Sequence, residues 1–330
     1  MTRILAYEPS LKRIAARLPA SAKDVEFVTV DDTGALKLNG QEIAIEDANP
    51  EIGWMAVELF GSPASRNFFI TLLKAPALKW VQSAAAGFDN PAFKSLVGNG
   101  ARLTTNNAQA HSMAEYVLWG VLDHFQRGGE RRAAQAKHDW ARLAYREIGR
   151  MNWLIIGFGA IGQAVAVRAA GFGAHITGVR RTPGPHPLAN AMATPDQVKS
   201  LLPQADVVVL LVPLSPATAG MVDADFLGAV KPGSMLVNVG RGDLIDEAAL
   251  LAALEAGKPE HALLDVFHEE PLPAGSPFWD HPRVTLTGHA SSMGDGLGPR
   301  GESLFLDNLN RYLTGQPLLN EADPKDVLAG

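Results

Sequence analysis

The chain has 330 residues, 47% of them hydrophobic and 19% charged, with a formal net charge of −6; that is enough apolar side chain to fill the cores of two ordinary domains. The acidic balance, with a pI near 5.9, argues against a general nucleic-acid surface, which needs clustered basic charge. There is no cysteine, so disulfides, thiolate nucleophiles and Cys-ligated zinc are excluded. The first ten residues carry no signal-peptide apolar region, and residues 207–213, among the longest apolar runs, are strand-like. A cytoplasmic protein without a membrane partner is therefore expected.

Short β-rich runs recur in the first hundred residues, at 3–7, 25–30, 54–58, 79–83 and 102–104. Helical patterns at 11–18 and 65–73 lie between them, and the alternation predicts a parallel α/β sheet. Residues 112–127 read as a long connecting helix with Met113, Tyr116, Val117, Gly120, Val121 and Leu122 on its inner side. Residues 127–150 read as a polar lead-in to the next apolar run.

Trp153, Leu154, Ile155 and Ile156 form an apolar run of buried-strand type, succeeded by Gly157, Gly159 and Gly162 at G-x-G-x-x-G spacing. A helical pattern runs from Ile161 to about Phe172, and residues 174–179 read as a second strand. Strand, glycine turn, helix and strand together form a dinucleotide fingerprint. Gly157 permits the tight turn, Gly159 lets backbone approach a pyrophosphate, and Gly162 lets the helix pack close to the strand. The helix N-terminus then offers N–H groups and partial positive charge to the phosphates. NAD-binding units usually place an acidic residue about 20 positions after the glycines, on the ribose 2′-hydroxyl. Here Arg180-Arg181-Thr182 begins eighteen positions after Gly162 (180 − 162) and no carboxylate is near. A guanidinium donates two parallel hydrogen bonds to a phosphate dianion, so NADP(H) is the predicted cofactor, with NAD(H) as the second choice.

Beyond a Pro/Gly-rich loop at 183–187, strand candidates occur at 206–212, 234–239, 261–266 and 283–287, with helices at 223–230 and 247–256 between some of them. They complete a doubly wound sheet of about six strands. A terminal helix at 304–313 is expected to return to the first domain. Three segments fall at later strand ends: Asn238 to Asp243, Asp265 to Leu272, and Thr287 to Ser291. They supply an arginine, a carboxylate and a histidine, the groups needed for hydride transfer to a 2-keto acid. His289 as imidazolium meets the charge that builds on the carbonyl oxygen. Glu270 at the other ring nitrogen fixes the tautomer and favours the charged ring. Arg241 binds the substrate carboxylate and polarises the carbonyl, which a planar fork of donors does better than a lysine. His268, Glu269 and Glu270 are not matched by a further spaced ligand, so no metal site is expected. His111, His124 and His138 are read as ordinary histidines.

The whole pattern resembles the D-isomer-specific 2-hydroxyacid dehydrogenases from about Lys79 to about Pro317. The resemblance is carried by Leu78 to Ser83 with Ala86-Gly87-Phe88-Asp89, by Met113-Ala114-Glu115-Tyr116, by the glycine turn, and by Ala205-Asp206 with Pro213-Leu214 and Thr218. It continues through Lys231-Pro232-Gly233, Asn238 to Gly242, Leu264 to Leu272 and His281-Pro282-Arg283-Val284. The resemblance implies two parallel-sheet α/β domains, one Rossmann-like and one flavodoxin-like, with an active-site cleft between them. Residues 1–104 plus about 298–330 would form the flavodoxin-like substrate domain, and 105–297 the dinucleotide-binding domain. The family's catalytic roles carry over to Arg241, Glu270 and His289. The loop holding Ala85, Ala86 and Gly87 would bind the substrate carboxylate through backbone N–H groups, with Trp279 at the border of the pocket. Ala160, Ile161, Val212, Pro213, Thr218, Val239, Gly240, Asp265 and His289 would join the glycine turn around the cofactor. The resemblance also implies a homodimer.

The absence of an acidic residue at 180 is shared with the glyoxylate/hydroxypyruvate reductase branch, which makes NADPH-dependent reduction of a small 2-keto acid the leading expectation. Two departures lie close to the chemistry: Gly288 stands where the family usually has proline, and Gly240 where it has alanine or serine. The glycine-rich segment 294–301 also departs from the pattern and is expected to border the pocket. A corepressor-like NADP(H) sensor with little turnover is an alternative, weakened by the complete trio. A formate dehydrogenase-like enzyme is another, weakened because that branch has glutamine where this chain has Glu270.

Overall fold

The computed structural model describes residues 1–88, 90–182 and 184–329; Asp89 of the family motif and Pro183 of the Pro/Gly-rich loop lie outside the described residues. The chain divides into two compact units, residues 1–109 with 295–330, and residues 110–294.

The first unit holds a seven-stranded sheet made of β1 (Arg3–Tyr7), β2 (Glu26–Val30), β3 (Leu36–Leu38), β4 (Gln41–Ile43), β5 (Ile52–Trp54), β6 (Trp80–Gln82) and β7 (Arg102–Thr104). Its order is β4-β3-β2-β1-β5-β6-β7. The strands from β2 to β7 pair in parallel, as the alternation predicts. The hairpin β3–β4 is an antiparallel addition that the expected elements omit. Its turn is Asn39-Gly40, both at positive φ (53° and 79°), the pairing that a two-residue hairpin turn demands. The strand expected at 54–58 lies earlier, at Ile52–Trp54, because the chain turns into a short 3-10 helix at Val57–Leu59. The last helix begins at Leu297, well before the expected position, and takes in most of the glycine-rich segment. Pro299 falls in its first turn, where no intrahelical donor is lost. Phe305 of this helix stacks on Trp54 with ring centroids 4.2 Å apart, and Glu302 pairs with Arg13 and Arg17.

The second unit holds β8 (Asn152–Ile156), β9 (His175–Val179), β10 (Ala191–Ala193), β11 (Val207–Leu210), β12 (Met235–Asn238), β13 (His261–Leu264) and β14 (Val284–Leu286). The order is β10-β9-β8-β11-β12-β13-β14, and every pair is parallel. This is a doubly wound, Rossmann-type sheet with its switch point between β8 and β11. Among the described residues it has seven strands rather than about six, since β10 is a three-residue edge strand without β-branched side chains. The connecting helix spans Ala110–Phe125 and buries Met113, Ala114, Val117, Leu118 and Val121. The stretch read as a polar lead-in contains a further helix, Gly128–Ala136, with no buried residue; an all-polar face gives no apolar period to read.

Asp206 ties three segments of this unit together. Its carboxylate accepts from Arg146 Nη2 (2.7 Å), Lys231 Nζ (2.6 Å) and the Asn152 N–H (2.9 Å), with the side chain 4% exposed. Burial by itself raises its pKa, but Lys231, the Asn152 N–H and Arg146 outweigh burial and hold it below the ordinary value. Asp206→Ala is expected to cost about 2–3 kcal/mol at pH 7, since it leaves a donor unpaired and removes both ion pairs, whose cations are partly solvated. A native pKa below the unfolded one means stability present at neutral pH and lost on acidification. The difference between wild type and variant in urea melts should therefore shrink as the pH falls below the ordinary 3.8.

Candidate active site

Because all strands of the second unit run in parallel, their C-terminal ends share one edge of the sheet, where open α/β sheets bind ligands. The glycine turn follows β8, Arg180 to Thr182 follow β9, and Val212-Pro213 follow β11. Val239, Gly240 and Arg241 follow β12, Asp265 and Glu270 follow β13, and His289 follows β14. Topology thus gathers these candidates along one edge.

Gly157 has φ +103°, and a Cβ there would sit 2.5 Å from the Leu211 carbonyl and 2.8 Å from the Val212 N. Any other residue is excluded both by conformation and by the close pass of the chain leaving β11. A Cβ at Gly162 would meet the Gly157 carbonyl oxygen at 2.3 Å, so helix and turn are in contact. At Gly159 a Cβ would meet nothing within 4 Å. The helix Ala160–Gly171 starts there without a side-chain cap, so its first N–H groups lack a side-chain acceptor among the described residues. Open space beside an uncapped helix start, Ala160 and Ile161 included, fits a pyrophosphate.

Arg180 donates from Nη2 to the Gly184 carbonyl at 3.1 Å. Its Nε is enclosed and has no hydrogen-bond partner among the described residues. Arg181 and Thr182 are exposed beside it. Thr218 uses its hydroxyl within its own loop, accepting from the Ser215 N–H (2.9 Å) and donating to the Pro213 carbonyl (2.7 Å); it fixes the shape of the segment after β11.

His289 Nδ1 and Glu270 Oε2 are 2.7 Å apart, with the side chains 50% and 35% exposed. The other carboxylate oxygen, Oε1, accepts from the Phe267 N–H at 2.9 Å. Glu270 is thus anchored on its own loop and presents one oxygen to the ring. An ionised carboxylate only accepts, so Nδ1 carries the proton and Nε2 faces away from the pair. His289 has φ +51°, a conformation uncommon for a residue with a Cβ. Asp265 holds it there: its carbonyl accepts the His289 N–H (2.7 Å), and its carboxylate accepts the N–H groups of Ala290 (2.8 Å) and Ser291 (2.9 Å).

Arg241 is half-buried and donates from Nη1 to the Gly240 carbonyl at 2.8 Å. Asn238 braces the same loop, its Nδ2 donating to the Arg241 carbonyl (2.9 Å) and its Oδ1 accepting the Gly240 N–H (3.1 Å). Gly242 is required by close approach: a Cβ would lie 2.0 Å from the Phe267 carbonyl carbon. The loop bearing Arg241 therefore runs directly against the loop bearing Glu270. A Cβ at Gly240 would meet Leu244 at 3.1 Å and the Leu210 and Val212 carbonyl oxygens at 3.4 Å, a tight fit that explains the smaller residue. At Gly288 a Cβ would meet nothing within 4 Å.

The remaining candidates have local roles. The Ala85 N–H is donated to Ser83 Oγ at 3.0 Å, which leaves Ala86 and Gly87 as the amides of that loop without an internal acceptor among the described residues. Trp279 is 49% exposed, and its Nε1 donates to the Pro273 carbonyl at 2.9 Å. His268 Nε2 lies 2.7 Å from the Ile245 carbonyl, and no group of three metal-ligating side chains occurs among the described residues. His124 stacks on His261 at 4.4 Å, and burial lowers the pKa of both, His261 to about 3. No helix among the described residues is long and apolar enough to cross a membrane.

The family model for "D-isomer specific 2-hydroxyacid dehydrogenase, NAD binding domain" matches residues 118–291. Glyoxylate/hydroxypyruvate reductase A of Serratia proteamaculans is 34% identical over 188 residues, covering 57% of this chain and 60% of that protein. D-3-phosphoglycerate dehydrogenase of Mycobacterium leprae is 34% identical over 248 residues, 74% of this chain and 47% of that protein. The matches thus span between about half and three-fifths of these relatives' own length. A crystal structure of a D-isomer specific 2-hydroxyacid dehydrogenase from Xanthobacter autotrophicus Py2 in complex with NADPH and MES has a TM-score of 0.78 at 27% identity, covering 99% of both chains. Fingerprint, sheet order and family match agree, and the chain belongs to the D-isomer specific 2-hydroxyacid dehydrogenase family.

Proposed function

We propose that this protein reduces a small 2-keto acid of the glyoxylate or hydroxypyruvate type to the D-2-hydroxy acid, with NADPH as the electron donor. The observation that carries the reading is the 2.7 Å pair of His289 and Glu270 on the sheet edge that also bears the glycine turn. A nicotinamide bound along that edge supplies the hydride. His289 gives the proton to the carbonyl oxygen from Nε2, and Glu270 stabilises the charged ring before the transfer. Arg241 holds the substrate carboxylate and polarises the carbonyl. We further propose Ala86 and Gly87 as backbone N–H donors to a substrate carboxylate, and Trp279 as a residue that borders the substrate.

The NADPH preference is supported by Arg180 and Arg181 at the end of β9, where no carboxylate is near in the sequence, and by the NADPH in the Xanthobacter structure. Arg180→Gln/Arg181→Gln is expected to raise KM for NADPH by about 10- to 150-fold, the value of one charge-assisted hydrogen bond of about 1.5–3 kcal/mol. KM for NADH should change by less than about threefold. Equal effects on both cofactors would remove the arginines from the 2′-phosphate. The reading as a whole is tested by a panel of small 2-keto acids, glyoxylate and hydroxypyruvate first, assayed with NADPH and NADH. Oxidation of NADPH by one or both is expected; no oxidation with any small 2-keto acid overturns it.

A further inference from the structure

A chain of hydroxyl groups reaches from the connecting helix to the loop that holds His289. Tyr116 Oη lies 2.7 Å from Thr287 Oγ1, and Thr287 Oγ1 lies 2.5 Å from Asp265 Oδ1. The direction of both bonds is set by proton count. Both oxygens of the buried Asp265 side chain accept backbone N–H groups, so it acts here as a carboxylate that only accepts. Thr287 has one hydroxyl proton and gives it to Asp265. Tyr116 must then donate to Thr287, since no other proton lies between the two oxygens. Burial pushes the Tyr116 phenol up to about 12, so it remains a donor across the working pH range.

With Thr287, the Asp265 carboxylate collects three donors, the other two being the Ala290 and Ser291 N–H groups. Those two amides and the His289 N–H, which donates to the Asp265 carbonyl, are the consecutive amides around the left-handed turn at His289. These three backbone bonds, which keep His289 in its strained conformation, all converge on Asp265, whose carboxylate takes its third donor from Thr287. A buried carboxylate that loses a donor turns toward other partners, since an unmet charge is costly away from water.

We infer that Thr287, oriented by Tyr116, is a positioning residue for the proton-donating histidine: it sets the rotation of the Asp265 carboxylate, and through it the place of His289 against Glu270. This rests on the proposed role of His289 as the proton donor. Neither residue reaches the reacting atoms in this scheme; both act through Asp265.

The test uses the intact protein. Thr287→Val keeps the shape and removes the hydroxyl; Thr287→Ser restores the hydroxyl with less bulk. Thr287→Val is expected to lower kcat for the best 2-keto acid by about tenfold or more, as expected for a misplaced catalytic group. KM for that substrate and the Kd for NADPH, read by fluorescence, should stay within about threefold. Thr287→Ser should recover kcat to within about threefold of wild type, and Tyr116→Phe should fall between the two. A general loss of packing would instead lower Tm in both Thr287 variants and would not be rescued by serine. Wild-type kcat in a folded Thr287→Val protein overturns the inference. So does an equal loss in Thr287→Val and Thr287→Ser. His289→Ala separates the two levels: if it keeps wild-type turnover, the proton-donor reading itself has failed, whereas an inactive His289→Ala beside an unaffected Thr287→Val removes only the positioning role.

Discussion

Replacing His289 with alanine is expected to lower kcat for 2-keto acid reduction by about 10²- to 10⁴-fold, the usual contribution of a positioned general acid. The Kd for NADPH should stay within a few-fold, because the glycine turn and the Arg180 loop follow β8 and β9, while His289 follows β14. The size of the effect reflects the charge that must be met. Hydride arrival builds negative charge on the carbonyl oxygen, and without the imidazole that charge loses its positioned proton donor. Glu270→Gln should show a smaller loss, about tenfold. The glutamine oxygen still accepts from Nδ1 or from the Phe267 N–H, but the stabilising charge is removed. A graded series, with His289→Ala well below Glu270→Gln and both folded by circular dichroism, supports a donor and its charged partner. Equal and modest losses in the two variants would point to a structural pair instead.

The parts of the site that are legible in the sequence are those whose chemistry is local. The fingerprint glycines fall between positions 157 and 162, and the structure gives Gly157 and Gly162 steric reasons that act within the turn or at the next strand end. Arg241, Glu270 and His289 lie on three different loops, yet each sits within a few residues of a strand end. A parallel sheet converts that sequence position into a shared edge. What is not legible depends on contacts between distant segments. Tyr116 and Thr287 are separated by 171 positions, and nothing in the local composition of either marks it as a partner of the other. The direction of Arg180 likewise depends on where the Gly184 carbonyl falls.

Two unexpected elements of the fold have different causes. The hairpin β3–β4 has a signal, Asn39-Gly40 between Leu36-Lys37-Leu38 and Gln41-Glu42-Ile43, which matches the turn chemistry of a tight hairpin. A purely parallel reading of the first hundred residues passes over it. The edge strand β10, Ala191–Ala193, has none. Alanine and methionine carry little strand preference, and pairing with β9 alone makes it a strand.

Arg241→Ala is expected to lower kcat/KM for a 2-keto acid by about 10²- to 10⁴-fold, the loss of two charge-assisted hydrogen bonds of about 1.5–3 kcal/mol each. Arg241→Lys should recover only part of this. The Nη1 bond to the Gly240 carbonyl fixes the plane of the guanidinium, and the fork shape lets one nitrogen brace the loop while others meet a ligand. A lysine has one nitrogen for both tasks. Its three donors leave from that single point, so it spans the carbonyl and the substrate less well than the separated nitrogens of a guanidinium. The kinetic split is informative. Binding of the carboxylate in ground and transition states alike appears as a raised KM, whereas polarisation of the carbonyl appears in kcat. Arg241 is assigned both roles, so both constants should move, with a competitive 2-hydroxy acid losing affinity in parallel with KM. Free guanidinium added to Arg241→Ala should restore some turnover, because the cavity left by the side chain still borders the braced loop of Asn238 and Gly242. A variant in which kcat/KM falls by less than about fivefold would show that the carboxylate is held elsewhere, and Ala86 and Gly87 would then become the first groups to test.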